Sequence, residues 1–197
     1  DSRKRAENCQ FQHDEAIYMD AFALETEESW LEAKDAYLRI PDHKDSRKRA
    51  ENCQFQHDEA IYMDALALET EKSWLEAKAA YLRILNHKDS RKRAENCQFQ
   101  HDKAIYQQAA GLEANGAWQE AQAAYLIIPE YKDSQTRAEH CAKMHRLETA
   151  YQQATRLEAD SAWQEAQAAY LSIPEYKDSQ TRAEHCAKMH RLETAYQ

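Results

Sequence analysis

The feature that most constrains this chain is self-similarity at a period of 44–45 residues. The segment DSRKRAENCQFQHD occurs three times, beginning at Asp1, Asp45 and Asp89, and a related segment, DSQTRAEHCAKMHRLETAYQ, begins at Asp133 and Asp178. A period this long marks stacked supersecondary units, because one such unit cannot bury its apolar face alone. The chain reads as a single array over residues 1–197, with repeats at 1–44, 45–88, 89–132 and 133–177 and a partial fifth at 178–197. Repeats one and two differ only at Phe22/Leu66, Glu28/Lys72, Asp35/Ala79, Pro41/Leu85 and Asp42/Asn86. Repeat three opens like these two and reads like repeat four from Tyr106 onward. Tandem duplication and deliberate splicing of two repeat types would both leave such a crossover, so natural and engineered origins are both open.

Within a repeat the apolar period is helical. Ala50, Cys53, His57, Ala60, Ile61, Ala65 and Leu68 recur at spacings of three and four and mark one face of a long first helix. Trp74, Ala77, Ala80, Tyr81 and Ile84 mark a shorter second helix. With 2 glycines and 3 prolines in 197 residues, almost nothing interrupts these patterns. Asp45 or Ser46 is expected to cap the first helix, which should run to about Glu69. SWLE at Ser29–Glu32 and Ser73–Glu76 has the spacing of a capping box, and Asn115-Gly116 replaces it in repeat three with a turn suited to positive φ. Pro41, Pro129 and Pro174 are expected to stop the second helix, with a softer stop where Leu85 replaces the proline.

Composition excludes several classes. A mean hydropathy of -0.97 with 31% charged residues suits a thin, elongated fold. No run of 18 apolar residues is present, so no membrane span is expected. No signal peptide is expected from the sequence as it stands, and the missing initiator Met suggests an excised segment. Five cysteines, one per repeat, suggest reduced thiols and a cytoplasmic location. A net charge of -9 argues against nucleic acid as the main partner.

The turn and second helix resemble the tetratricopeptide repeat. NGAWQEAQAAYLIIP (Asn115–Pro129) has that family's turn glycine, aromatic, Glu-Ala and downstream aromatic, and Ala-x3-Tyr recurs at Ala33/Tyr37, Ala77/Tyr81, Ala121/Tyr125 and Ala166/Tyr170. PEYKDS at Pro129–Ser134 and Pro174–Ser179 is similar to the YKDS linker of bacterial tetratricopeptide-like proteins. The family period is 34 residues, so the first helix here is longer and the closing proline earlier. The resemblance implies an all-α, right-handed superhelical solenoid of antiparallel helix pairs, four full repeats plus a partial fifth, whose first helices line a peptide-binding concave groove. By position, the resemblance places Glu15, Tyr18, Phe22 and Glu25 in that groove from repeat one, and Glu59, Tyr62, Leu66 and Glu69 from repeat two. Repeat three contributes Lys103, Tyr106, Ala110 and Glu113, and repeat four Glu148, Tyr151, Thr155 and Glu158. A tyrosine row flanked by carboxylates suits a basic or extended peptide. The same spacing also suits tyrosines packed against the next repeat with solvated glutamates.

Other constellations are weighed against blander roles. Cys-x3-His recurs at Cys9/His13, Cys53/His57, Cys97/His101, Cys141/His145 and Cys186/His190, two soft ligands on one helix face. Structural zinc needs four ligands, so buried structural cysteine is the simpler role, and no metal or cofactor is expected. Identical copies along a rod offer no orienting third group for catalysis. The basic run at Arg3–Arg5, Arg47–Arg49 and Arg91–Arg93 is expected to meet acidic side chains of the neighbouring repeat. Trp30, Trp74, Trp118 and Trp163 are expected to wedge the two helices of a repeat together. The leading expectation is a non-catalytic scaffold binding a protein or peptide in its groove. The alternative is a purely architectural or designed array, a spacer or self-assembling module without a ligand. An uncovered apolar face on Ala183, Cys186 and Leu192 suggests end-to-end self-association.

Overall fold

The computed structural model describes residues 2–195, and these are all-α, with no strand among them. The described helices are α1 (Ser2–Thr26), α2 (Trp30–Leu38), α3 (Ser46–Thr70), α4 (Trp74–Arg83), α5 (Ser90–Ala114), α6 (Trp118–Ile127), α7 (Ser134–Ala159), α8 (Trp163–Leu171) and α9 (Ser179–Ala195). Long first helices alternate with short second helices, as the repeat predicts. The chain divides into two compact units, residues 1–101 and 102–197, and the division falls inside α5. Among the described residues no helix is long and apolar enough to cross a membrane.

Each compact unit carries two small cores, one per repeat. In the first unit, Tyr18 and Ala21 of α1 pack with Ala33 and Tyr37 of α2, Ile40, and Ala50 and Cys53 of α3. Ile61, Tyr62 and Ala65 of α3 pack likewise with Ala77, Tyr81, Ile84, Ala94 and Cys97. In the second unit the corresponding cores centre on Ala109, Ala121, Tyr125, Ala138 and Cys141, and on Ala154, Ala166, Tyr170, Ala183 and Cys186. Alanine at the contact points lets helix axes approach closely, and one fully buried tyrosine per repeat (Tyr37, Tyr81, Tyr125, Tyr170) supplies most of the bulk. Of the expected apolar face on α3, Ala60 is exposed and His57 and Leu68 are half-buried.

The reversal between helices is a Schellman motif in every repeat. Ser29 N–H donates to the Leu24 carbonyl (2.9 Å) and Glu28 N–H to Glu25 (3.2 Å); the pairs at Ser73/Leu68, Ala117/Leu112 and Ala162/Leu157 repeat it at 2.9–3.0 Å. The pivot residue has positive φ: Glu28 (60°), Lys72 (61°), Gly116 (75°) and Ser161 (59°). Only repeat three places the conformationally free residue there. The capping boxes expected at Ser29 and Ser73 do not form, for neither side chain makes a cap bond. Ala117 and Ala162 hold the same position with nearly the same dihedrals, so the reversal, not a serine cap, fixes the start of the second helix.

The proline expectation also needs correcting. α2, α6 and α8 stop two or three residues before Pro41, Pro129 and Pro174, and α4 stops at Arg83 although Leu85 replaces the proline. The stop therefore depends on what all repeats share, a buried isoleucine (Ile40, Ile84, Ile128, Ile173) and a second positive-φ residue at Lys44, Lys88, Lys132 and Lys177. Nor does Asp45 cap α3 with its side chain; the carboxylate is taken by Tyr18, and Ser46 Oγ donates to the His43 carbonyl at 2.7 Å. At α9, Ala183 (1% exposed) and Cys186 (0%) are covered by α8, so of the expected bare face only Leu192 (44%) is exposed.

Candidate functional site

The tyrosine–carboxylate rows meet at the repeat junctions. Tyr18 of α1 donates its hydroxyl to Asp45 of the next repeat at 2.6 Å; Tyr62 does so to Asp89 and Tyr106 to Asp133 at 2.6 Å, and Tyr151 to Asp178. Each bond spans 27 residues. The bond holds the Asp carboxyls below their ordinary range and pushes the Tyr18 and Tyr62 hydroxyls up, with Tyr151 raised to about 12. Each of these tyrosines also stands edge-on to the buried tyrosine of its second helix, with centroids 5.5–5.7 Å apart.

A second fastening lies beside the first. Glu25, Glu69, Glu113 and Glu158 each accept from an arginine 24 residues on: Arg49 (2.7 Å), Arg93 (3.1 Å), Arg137 (2.9 Å) and Arg182 (2.6 Å). Tyr37, Tyr125 and Tyr170 donate to the same carboxylates at 2.7–2.8 Å. In repeat two Glu69 turns toward Arg93 and the Cys97 thiol, and the buried Tyr81 hydroxyl lies beside this carboxylate without a well-aligned hydrogen bond. Thus the third residue of the second and third basic runs, Arg49 and Arg93, meets an acidic side chain of the preceding repeat.

Glu15 accepts from Lys44 Nζ (2.6 Å) and sits 3.0 Å from His43 Nε2, and Glu59 repeats this with Lys88 (2.5 Å) and His87 (2.8 Å). Glu148 takes Lys177 (2.7 Å) and the Tyr176 hydroxyl (2.5 Å). Both neighbours of each carboxylate lower its pKa, the lysine most. Lys103 occupies this place in repeat three, exposed, where the local lysine is Lys132. The lysines also lie 4.5–4.8 Å above the row tyrosines (Tyr18, Tyr62, Tyr106, Tyr151).

Of the residues assigned to the groove, then, the tyrosines and glutamates are engaged within the chain. Tyr18 and Tyr62 are 9% and 7% exposed, Leu66 and Ala110 are half-buried, and Thr155 Oγ1 bonds the Tyr151 carbonyl at 2.9 Å. What remains open on the same helix face is apolar. Phe11 and Phe22 lie at helical spacing from Glu15 and Tyr18, and are 56% and 40% exposed; Phe55 (50%) holds the place of Phe11 in α3. Met19 and Met63 flank them, each 55% exposed. Repeat four carries Lys143, Gln152 and Thr155 at the corresponding places.

The cysteines are all free thiols; Cys53, Cys97, Cys141 and Cys186 are buried and Cys9 is exposed. Burial pushes the buried thiols up, Cys97 to about 11. Among the described residues no three His, Cys, Asp or Glu side chains come together to hold a metal. Each tryptophan opens its second helix half-buried, and Trp118 and Trp163 also meet His140 and His185 of the next repeat edge-on at 6.2–6.3 Å. For Trp118 and Trp163 the tryptophan wedge therefore reaches across the junction as well.

Sequence reasoning missed the Tyr–Asp and Glu–Lys fastenings. Their signal, a spacing kept at every junction, is present, but in a tandem repeat every pair of positions keeps its spacing. No protein-family model matches the chain, and neither a curated protein nor a solved structure matches it.

Proposed function

We propose that this chain is a non-catalytic, tetratricopeptide-like scaffold that binds a protein segment along the exposed face of its first helices. The observation that carries this reading is the apolar row of Phe11, Met19, Phe22, Phe55 and Met63 in the first compact unit, five large side chains at least 40% exposed. Clusters of this kind on an otherwise polar chain mark interaction surfaces. The neighbouring carboxylates are already neutralised by lysines of the chain, which favours a partner anchored by apolar side chains over a basic one. A purely architectural array is the second reading, supported by the engagement of the row tyrosines at all four junctions.

The test is a peptide-array screen comparing the chain with a Phe11→Ser/Phe55→Ser/Met63→Ser variant. These positions are exposed, so the variant should keep its helicity, whereas truncating Tyr62 would open a core. Selective binding of peptides with large apolar anchors, lost in the variant, is expected. Indistinguishable, background-level binding by both folded proteins would leave the architectural reading.

A further inference from the structure

In the middle of the first compact unit's second junction, α4 and α5 enclose an open groove of about 460 Å³. Its apolar lining is Leu82 and Leu85, 48% and 38% exposed, with buried Ala94 of α5. Lys78 and Arg91 line it from the two sides. Lys78 Nζ donates to Gln98 Oε1 at 2.6 Å, which holds the ammonium at the groove and leaves two of its protons for another acceptor. Two cations against the single carboxylate of Glu95 leave the groove net positive, in a chain whose overall charge is -9. Charges more than about 10 Å away are largely screened at 0.1 M salt, so the local sign decides what can dock.

The other junctions show which residues make this groove distinct. The first junction has the same Lys, Leu, Arg, Ala and Glu at Lys34, Leu38, Arg47, Ala50 and Glu51, yet its groove is smaller, about 320 Å³. There Pro41 adds no wall, and Arg47 Nη2 is taken by Asp42 at 3.0 Å. Repeat two carries Leu85 and Asn86 at those two places. Leu85 extends the apolar wall, and among the described residues Arg91 makes no ion pair. The other charged differences, Glu28/Lys72 and Asp35/Ala79, also remove negative charge from around α4. In the last two junctions Gln122 and Gln167 replace the lysine, and Gln135 and Gln180 replace the arginine. Only the second junction combines two apolar walls with an arginine that no aspartate holds.

We propose that the α4–α5 groove docks an acidic, apolar-anchored segment of a partner protein. A large apolar side chain lies over Leu82, Leu85 and Ala94, and flanking carboxylates meet the Arg91 guanidinium and the Lys78 ammonium. Arginine suits this role because its planar fork takes a carboxylate through two parallel hydrogen bonds. None of the Phe/Met row lines this groove, so the site stands independently of binding there.

The probe is a short fluorescein-labelled peptide in which Leu and Phe anchors are flanked by Asp and Glu, with an Asn/Gln analogue as its neutral control. Anisotropy titration gives affinity, and calorimetry gives stoichiometry. One peptide should bind per chain, and the neutral analogue should bind roughly tenfold more weakly or worse. Leu85→Pro/Asn86→Asp gives the second junction the residues of the first, a combination that folds there, and should also weaken binding about tenfold. The reciprocal Pro41→Leu/Asp42→Asn chain should gain a second site. The Phe11→Ser/Phe55→Ser/Met63→Ser chain should bind as the parent does. No binding up to millimolar peptide, equal binding of the neutral analogue, or an unchanged Kd in Leu85→Pro/Asn86→Asp would overturn the proposal. So would a single site in the reciprocal chain, or loss of binding in the triple-serine chain.

Discussion

Positive φ recurs at two positions per repeat, and the two carry different side-chain loads. Lys72 (φ 61°) is exposed at the helix reversal where repeat three has Gly116. An L side chain in this region costs on the order of 1 kcal/mol, partly offset by the greater unfolded-state freedom of glycine. Lys72→Gly is therefore expected to stabilise the chain by about 0.5–1 kcal/mol in urea denaturation. Lys88 (φ 47°) differs, because its ammonium holds Glu59 and caps the Tyr62 ring, so Lys88→Gly should bring no gain. The buried tyrosines give a matched contrast. Tyr125 donates to Glu113, whereas the Tyr81 hydroxyl lies beside Glu69 without a well-aligned bond. Tyr125→Phe should cost about 1 kcal/mol, and Tyr81→Phe should cost clearly less, by thermal denaturation.

At the scale of the helix pair, Lys103 breaks a pattern that its three counterparts keep. Lys103→Glu would place a carboxylate opposite Lys132, as Glu15 stands opposite Lys44. The exposed pair should raise Tm by only about 1 °C, and 1 M salt should erase the gain. The carboxylates of the fastenings also set the acid limit. Asp45, Asp89, Asp133 and Asp178 and Glu15, Glu59 and Glu148 titrate below their ordinary values of 3.8 and 4.5 when folded. Their contribution is complete above those ordinary values and is lost as pH falls through the folded ones. Tyr18, Tyr62 and Tyr151 shift upward, so their contribution is complete below the ordinary 10 and is lost as pH rises beyond it. Tm should be flat between about pH 5 and 9 and fall on either side. Helix number, type and register were legible in the sequence because a breaker-poor 44-residue period leaves few alternatives, as Ala50, Cys53 and Ala65 illustrate. The SWLE boxes misled because a local motif yielded to a reversal already fixed by the preceding helix end. The pairing of Tyr18 with Asp45 was illegible because it depends on how one repeat lies on the next, which periodicity does not encode.

For the molecule as a whole, stability in a repeat array is a sum of weak repeats and the junctions between them. Each core here is small, so cooperative unfolding depends on junctions carried by the Tyr–Asp and Arg–Glu fastenings beside the buried cysteines. The same fastenings engage the row tyrosines within the chain and leave the phenylalanines and methionines exposed on the first helices. That division of labour rests on the row tyrosine belonging to the junction. The direct test is a double-mutant cycle on Tyr62→Phe and Asp89→Asn, read by urea denaturation with equal m-values. A coupling of about 0.5–1 kcal/mol, reduced from a buried bond because the Asp89 side chain is half exposed, is the predicted result. Additive single effects would contradict it, and would return the tyrosine hydroxyls to solvent and to any ligand that reaches them.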